Sequence, residues 1–442
     1  MWLFVDTILC YALRVEARWI PLDNAAKIYP ASSSRRWSAL FRVSATLYED
    51  VDPAVLVLAL DRTAKRIPLF FMRLKRGVFW YYLEEGKNAL RVEPDGCCPC
   101  LPLRLSENNG YSLRVLYYKN RISAEFFHVL TDGTGGMVFL KTLVAEYLRI
   151  KHGANIPCEN GILDCDAAPR AAEARDSFMD HAGVTGTGRN EKRAFHMEGT
   201  DSAGFNYLTT AKMPVAALMA DAKQSGATLT EYLVTLMIMA VQSLQEARQP
   251  RLLRRKPVKI NVPVNLRRFF PSETIRNFSA YINPGIDPRL GTHSFEETLN
   301  QVVHHIRAQA TEKQLSAKFT QNVRDEKNAA VRFTPLFIKN LVLKSAFLAV
   351  GDALTSTCLS NLGLQTMPPE MARYVQCLNF ILGPLSVNRI ACAALSYNGA
   401  LCFNVTRTIE ESDFERTLFC LLVQRGIPVE IESNLSSKAA DN

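Results

Sequence analysis

Tight chain reversals between alternating strands, present in both halves of the sequence, constrain the fold most. Asn398-Gly399 follows the alternating run 389–397, and Asn-Gly is the strongest short-range signal for a hairpin. In the first half, residues 111–118 and 121–127 flank Lys119-Asn120 and are rich in β-branched and aromatic side chains. Antiparallel neighbours of this kind argue against strict βαβ alternation, and therefore against a Rossmann or TIM-barrel architecture.

Helix signals are interspersed with these hairpins. Asp52 before Pro53 is typical of a capped helix start and predicts a helix over residues 54–66. Thr228 and Glu231 have the spacing of a capping box, which predicts an apolar helix from there to about Gln245. Because helices and hairpins mix in both halves, we expect an α+β fold with mixed sheets and flanking helices.

The length of 442 residues allows two or three folding units, at roughly 100–200 residues each. Between about 151 and 204 the regular patterns give way to Gly, Ala, Asp, Arg and Asn with few aliphatic residues. We therefore predict an N-terminal lobe over 1–155, a crossover or linker over 156–205, and a C-terminal lobe over 206–442.

Composition and charge exclude several classes of protein. With 48% apolar and 21% charged residues, the chain is not intrinsically disordered. The formal net charge of +9 suits an anionic partner, but the basic runs at 73–76 and 251–256 carry no nucleic-acid-binding motif. The apolar start, 1–15, has no basic flank, and the run 232–241 is about half a membrane span. We expect a cytoplasmic protein with no nucleic-acid partner and no integral membrane segment.

The eleven cysteines do not predict a disulfide framework in a chain of this length. Cys97, Cys98 and Cys100 could bind zinc together with Cys158 or Cys165, but a second CxxC half with metal-ligand spacing is absent. We favour plain thiols over a zinc site, and expect no metal.

One short motif has a context that fits a mechanism: His128, followed at spacing four by Asp132 and then Gly133. The histidine ends a predicted strand, and a glycine-rich turn leads from it into a helical pattern. A neutral imidazole removes protons well near neutral pH, Asp132 could orient it or fix the loop, and Gly133 could adopt positive φ. A half-buried histidine and a turn aspartate without chemistry would give the same pattern, so the residues alone leave both interpretations open.

The run 126–135 resembles the HxxxDG signature of the chloramphenicol acetyltransferase-like acyltransferases, a superfamily that includes alcohol O-acetyltransferases and nonribosomal condensation domains. The bacterial alcohol acetyltransferase-like branch is the most similar. Further similar stretches follow the family's order along nearly the whole chain, at 19–27, 262–268, 277–278 and 360–363. Phe127 stands where condensation domains usually carry another histidine, and the DFGWG motif of plant BAHD enzymes is missing.

The resemblance implies two similar lobes with an active-site tunnel between them. It implies that His128 is the general base and that Asp132 is structural, paired with Arg267 or, as second choice, Arg268. Gly133 would shape the backbone next to the histidine. The remaining candidates, expected to line the tunnel, are Asn277, Ser360 and Asn361.

The resemblance also implies a function. The chain would transfer an acyl group, most simply acetyl, from a coenzyme A thioester to an alcohol or amine, without a covalent intermediate and without a permanently bound cofactor. Acyl-CoA would be a co-substrate. Two alternatives stay open: a condensation or ester-forming module that takes its acyl group from an acyl carrier protein, and a non-catalytic binding protein with the same fold.

Overall fold

The computed structural model describes residues 19–33, 39–86, 88–183, 185–186, 191–248 and 256–435. Most of the predicted basic run 251–256 and the apolar start 1–15 lie outside this part of the chain. The strands are β1 (Trp19–Pro21), β2 (Leu40–Leu47), β3 (Met72–Arg76), β4 (Tyr81–Glu85), β5 (Val92–Pro94), β6 (Leu113–Tyr118), β7 (Arg121–Phe127), β8 (Tyr207–Pro214), β9 (Val258–Asn265), β10 (Ser279–Ile282), β11 (Gly285–Ile286), β12 (Thr357–Leu364), β13 (Val375–Leu382), β14 (Ile390–Tyr397), β15 (Ala400–Arg407) and β16 (Glu430–Ser433).

The helices of the described residues flank these strands. They are α1 (Ile28–Ser32), α2 (Pro53–Arg66), α3 (Gly133–His152), α4 (Ser177–His181), α5 (Val215–Gln224), α6 (Leu229–Arg248), α7 (Phe295–Gln309), α8 (Glu312–Lys327), α9 (Ala329–Phe333), α10 (Leu336–Val350), α11 (Pro369–Ala372) and α12 (Asp413–Gln424).

Local signals explain where several elements begin and end. Asp52 caps α2 by accepting from the backbone N–H of Ala54, as the sequence predicts. Thr228 and Glu231 exchange hydrogen bonds with each other's backbone N–H, so the predicted capping box at the start of α6 is confirmed. Asn398 and Gly399 both have positive φ, at 47° and 78°, the conformation that a two-residue hairpin loop between β14 and β15 requires.

The strands form two large mixed sheets and one small one. The first sheet has the order β13-β2-β7-β6-β5, and the second the order β10-β9-β12-β14-β15-β8-β16, with β11 beside β9. The small sheet is β1-β4-β3. Parallel pairs such as β12 with β14 occur among antiparallel ones, so the predicted α+β architecture with mixed sheets is confirmed.

Two large apolar cores underlie the two large sheets. One packs α2 and α3 against the first sheet, and the other packs α6 and α12 against the second. A smaller aromatic cluster, built around Phe178, Phe270, Phe278 and Phe319, lies where α4 and α8 approach the turn between β9 and β10.

One strand departs from the order of the sequence. β13, from late in the chain, pairs with β2 at the edge of the first sheet, so that sheet is completed from within the predicted C-terminal lobe. The segment 156–205 is largely irregular but attached: Glu173 is buried and paired with Arg66. The boundaries 1–155, 156–205 and 206–442 remain a prediction.

Candidate active site

His128 stands at the junction between a central strand and a helix. β7 ends one residue earlier, and the backbone N–H of His128 donates to the carbonyl of Ala39, 2.8 Å away. Four residues on, Asp132 is the N-cap of α3: its Oδ1 accepts from the N–H groups of Thr134 and Gly135, both at 3.1 Å. The strand end and the helix start therefore fix the two polar residues of the motif relative to each other.

Aromatic rings enclose the imidazole on two sides. Tyr29 of α1 stacks on it, with ring centroids 4.9 Å apart and planes 25° apart, and Phe41 of β2 meets it edge-on at 5.1 Å. The side chain nevertheless remains partly exposed. Burial lowers the pKa of His128 below its ordinary value of 6.5, so the ring is neutral near pH 7.

Asn277 determines which ring nitrogen carries the proton. Its Nδ2 donates to the carbonyl of His128 (2.9 Å) and to Oδ2 of Asp23 (3.1 Å), so its Oδ1 must face Nδ1 of His128, at 2.8 Å. Because an amide oxygen only accepts, Nδ1 carries the hydrogen and Nε2 keeps its lone pair. The ring is therefore in the tautomer that exposes Nε2 as a base.

Asp23 anchors this arrangement from below and is fully buried. Its Oδ1 accepts from the backbone N–H of Ala26, and Arg276 Nε lies 3.4 Å from its Oδ2. Burial raises the pKa of Asp23, opposed by the nearby Arg276 guanidinium. Asp23 lies within the family-like stretch 19–27, but no local pattern in that stretch indicates that it contacts a residue more than 250 positions away.

Asp132 turns away from the imidazole toward the loop between β9 and β10. Its Oδ2 accepts from NH1 of Arg267 at 2.8 Å and from the backbone N–H of Phe278 at 2.9 Å. Arg267 also donates to the carbonyls of Thr274 and Arg276, which ties the loop together. Arg268, the second candidate partner, is exposed and lies on another side of the same turn.

Gly133 acts differently from the sequence expectation. It does not have positive φ; it is the first residue of α3, in helical conformation. A Cβ at this position would lie 2.8 Å from Cδ2 of Leu362 and 3.3 Å from the ring of Phe380. A larger residue here would push the Leu362 side chain away from the start of α3, so the absence of a Cβ lets Leu362 pack closely.

The three expected tunnel-lining residues occupy different environments. Asn277 is 1% exposed and lies behind the imidazole, so it holds the ring rather than lining an open wall. Ser360 and Asn361 are partly exposed on β12. The amide of Asn361 donates to Thr230 Oγ1 and accepts from the N–H of Gly363, which fixes the turn carrying Leu362.

Together these groups present a neutral base on a rigid support. Asp132, Arg267 and Phe278 join the strand–helix junction to the β9–β10 loop, and Asn277 from that loop holds the ring. Such an arrangement can take a proton from a hydroxyl or amine at Nε2 and return it to a leaving group without moving the protein.

Other features of the described residues lie apart from this site. No three His, Cys, Asp or Glu side chains among them are placed to hold a metal ion. Within the same residues no single helix combines the length and apolarity needed to cross a bilayer; α5 with α6 meets that test only as a pair bent by 83°. A surface recess lined by Tyr48, Tyr147, His152 and Tyr374 does not include His128.

Comparison with known proteins gives a clear answer for the fold. No family model matches the sequence, and no curated protein matches it significantly. Among solved structures, the trichothecene 15-O-acetyltransferase of Fusarium sporotrichioides is 11% identical, with TM-score 0.59 over 92% of this chain and 95% of that one. TRI101 of F. sporotrichioides, solved with coenzyme A and T-2, is 11% identical, with TM-score 0.60 over 95% and 100%. The first condensation domain of the calcium-dependent antibiotic synthetase is 13% identical, with TM-score 0.57 over 94% and 100%.

These likenesses cover nearly the full length of both partners in each pair. The chain therefore has the two-lobed fold shared by chloramphenicol acetyltransferase-like acyltransferases and condensation domains, as the HxxxDG resemblance implies.

Proposed function

We propose that the protein is an acyltransferase that moves an acyl group, acetyl in the simplest case, from a coenzyme A thioester to an alcohol or amine. The observation that carries the proposal is the imidazole of His128: neutral, partly exposed, and held by Asn277 in the tautomer that keeps the lone pair on Nε2. The fold, shared with an O-acetyltransferase and with a protein solved with coenzyme A, supports the same class of reaction.

In this reaction the two substrates meet at Nε2 in a tunnel between the lobes. Nε2 takes the proton of the acceptor O–H or N–H while the acceptor atom attacks the thioester carbonyl. The tetrahedral intermediate then expels the coenzyme A thiolate, which receives the proton back from Nε2 and leaves as the thiol. His128, Asp132 and Gly133 form the catalytic motif, Arg267 fixes Asp132, and Ser360 and Asn361 lie on the tunnel wall.

The test compares purified wild-type protein with His128→Ala, using acetyl-CoA and a panel of small alcohols and amines, with ester or amide product measured by mass spectrometry. Loss of a general base predicts a fall in turnover of about 10²–10⁴-fold. His304→Ala, which changes an exposed histidine, is the matched control and should keep wild-type turnover. Full transfer by His128→Ala would refute the assignment.

The second candidate is a condensation-type module with an acyl carrier protein as donor, favoured by the structural likeness to a condensation domain. Phe127, at the position of the additional histidine of those domains, weighs against it. Offering the same acyl group as a free coenzyme A thioester and as a carrier-bound thioester separates the two. Tight binding without turnover of either donor would instead indicate a binding protein.

A further inference from the structure

A large apolar surface lies away from the three cores. It comprises eight side chains from the β3–β4 turn, α9 and α10, each 38–73% exposed: Val78, Phe79, Val331, Phe333, Phe337, Ile338, Leu341 and Val342. Single exposed apolar residues are common, but a contiguous group of this size usually marks an interaction site. We call this group the apolar surface.

The parts of the apolar surface are bound into one rigid unit. The N–H of Leu336 donates to the carbonyl of Val78 at 2.8 Å, and the rings of Phe79 and Phe333 meet edge-on at 6.3 Å. Lys339 donates to the carbonyl of Phe79 at 3.0 Å, and its ammonium lies 3.5 Å from the ring centroid of Trp80. The turn and the two helices therefore present their apolar side chains together.

Helix α10 exposes apolar side chains and buries a charged one, the reverse of an ordinary surface helix. Its Lys339 is buried, whereas Phe337, Ile338, Leu341 and Val342 share the face that points outward. That spacing is the i, i+1, i+4, i+5 pattern of one helical face. Because the apolar side chains point outward and Lys339 points inward, the outer face of α10 suits contact with a nonpolar medium rather than with water.

The segments that carry the apolar surface contribute basic residues but no acidic ones. From Asn328 to Gly351, and from Met72 to Leu83, the sequence contains no aspartate or glutamate. Arg76, Arg332 and Lys344 are exposed beside the apolar side chains. A second copy of the chain packed on the same face would bring like charges together, whereas an anionic lipid surface would complement them.

The apolar surface also adjoins the candidate active site. Helix α10 packs against α1, and α1 carries Tyr29, whose ring stacks on the imidazole of His128. Two packed helices, α10 and the short α1, therefore lie between the apolar surface and the histidine.

We propose that the apolar surface docks onto anionic lipid bilayers, and that the acceptor is a long-chain alcohol or amine taken from the bilayer. The substrate class rests on the proposed function, whereas the docking does not. Phe337 and Leu341, among the most exposed members, insert into the acyl-chain boundary, and Arg332 and Lys344 contact the lipid phosphates.

The docking is tested by flotation of the full chain with vesicles of phosphatidylcholine alone or mixed with phosphatidylglycerol. Wild type should bind the mixed vesicles, and Phe337→Ser with Leu341→Ser should weaken that binding at least tenfold. Arg332→Glu with Lys344→Glu should abolish the preference for the anionic vesicles. The matched control, Val57→Ser with Leu58→Ser, changes two apolar residues of α2 that are 45% and 55% exposed, and should bind as wild type does.

Three results would overturn the docking. The first is vesicle binding by the Phe337→Ser, Leu341→Ser protein that equals wild type, and the second is no vesicle binding by wild type. The third is a particle of lower molar mass, measured by light scattering, for the Phe337→Ser, Leu341→Ser protein than for wild type. That difference in mass would assign the surface to contact between copies of the chain.

The substrate class is tested with the same variants. Phe337→Ser with Leu341→Ser should acetylate a water-soluble short-chain alcohol as fast as wild type, but a long-chain alcohol in vesicles at least tenfold more slowly. The substrate class would be overturned if the variant lost activity equally on the two alcohols, or if it lost activity on neither of them. If wild type binds vesicles but acetylates neither alcohol, the proposed function fails while the docking stands.

Discussion

The ion pair between Asp132 and Arg267 offers the sharpest test of how the site is held together. In Asp132→Asn the amide oxygen can still cap α3, but Nδ2 then points at the Arg267 guanidinium and at the N–H of Phe278, both of which are donors. Removing one member of a buried pair costs about 3–5 kcal/mol. Arg267 is 13% exposed and keeps two backbone carbonyl partners, so we expect Asp132→Asn to lower the free energy of unfolding by about 3 kcal/mol, the lower end of that range.

Urea unfolding at pH 7, followed by circular dichroism, measures this cost in a double-mutant cycle. Asp132→Asn and Arg267→Met should each lower the unfolding midpoint, and the double variant should cost about 1–3 kcal/mol less than their sum, because no charge is left unpaired. Arg268→Met, at the exposed neighbour, should stay within about 0.5 kcal/mol of wild type. Wild-type stability of Asp132→Asn, combined with lost acyl transfer, would refute the structural role and assign Asp132 to the chemistry.

Three further predictions follow from the same geometry. Because burial lowers the pKa of His128, the acid limb of kcat/KM should lie below pH 6.5, and a limb above 6.5 would contradict the burial argument. For the same reason, His128 takes up a proton more readily in the unfolded chain than in the folded one, so stability should decrease as the pH falls below 6.5. Gly133→Ala should cost about 1–3 kcal/mol, and less in a Leu362→Ala background, whereas Gly135→Ala, blocked by backbone, should cost the same in both; thermal melting of the three single and two double variants decides this. Asn277→Ala should lower kcat about tenfold or more and leave KM for the thioester unchanged, because the hydrogen bond that holds the His128 ring is lost and about 1.4 kcal/mol corresponds to a factor of ten. An unchanged kcat would show that the tautomer of His128 does not depend on Asn277.

Local signals account for the parts of the fold that were predicted correctly. The cap at Asp52, the capping box at Thr228 and the turn at Asn398-Gly399 each depend on residues within four positions of one another. Such signals act on neighbouring backbone groups of the chain, so they can be recognised in the sequence without the tertiary structure. The HxxxDG motif belongs to the same class, because a strand end and a helix cap set the spacing of His128 and Asp132.

Some features of the site have no local signal. The role of Gly133 was predicted from its freedom to adopt positive φ, but the structure uses its missing Cβ to admit Leu362, which is more than 200 residues away. Asn277 was expected on a tunnel wall because the resemblance gives only its approximate location, not the direction of its side chain. The outward apolar face of α10 likewise depends on which side of the helix the β3–β4 turn covers.

The sequence by itself determined the types of element and their main boundaries, because these follow from short-range hydrogen bonding and periodicity. It indicated the candidate base, His128, through the resemblance of the HxxxDG run to a known family. Only the tertiary structure decided that β13 joins the first sheet, that Arg267 rather than Arg268 faces Asp132, and that Asp23 and Asn277 support the imidazole. These contacts join residues more than 130 positions apart. Their geometry depends on how two lobes pack, and no repeat or spacing within either lobe encodes that packing.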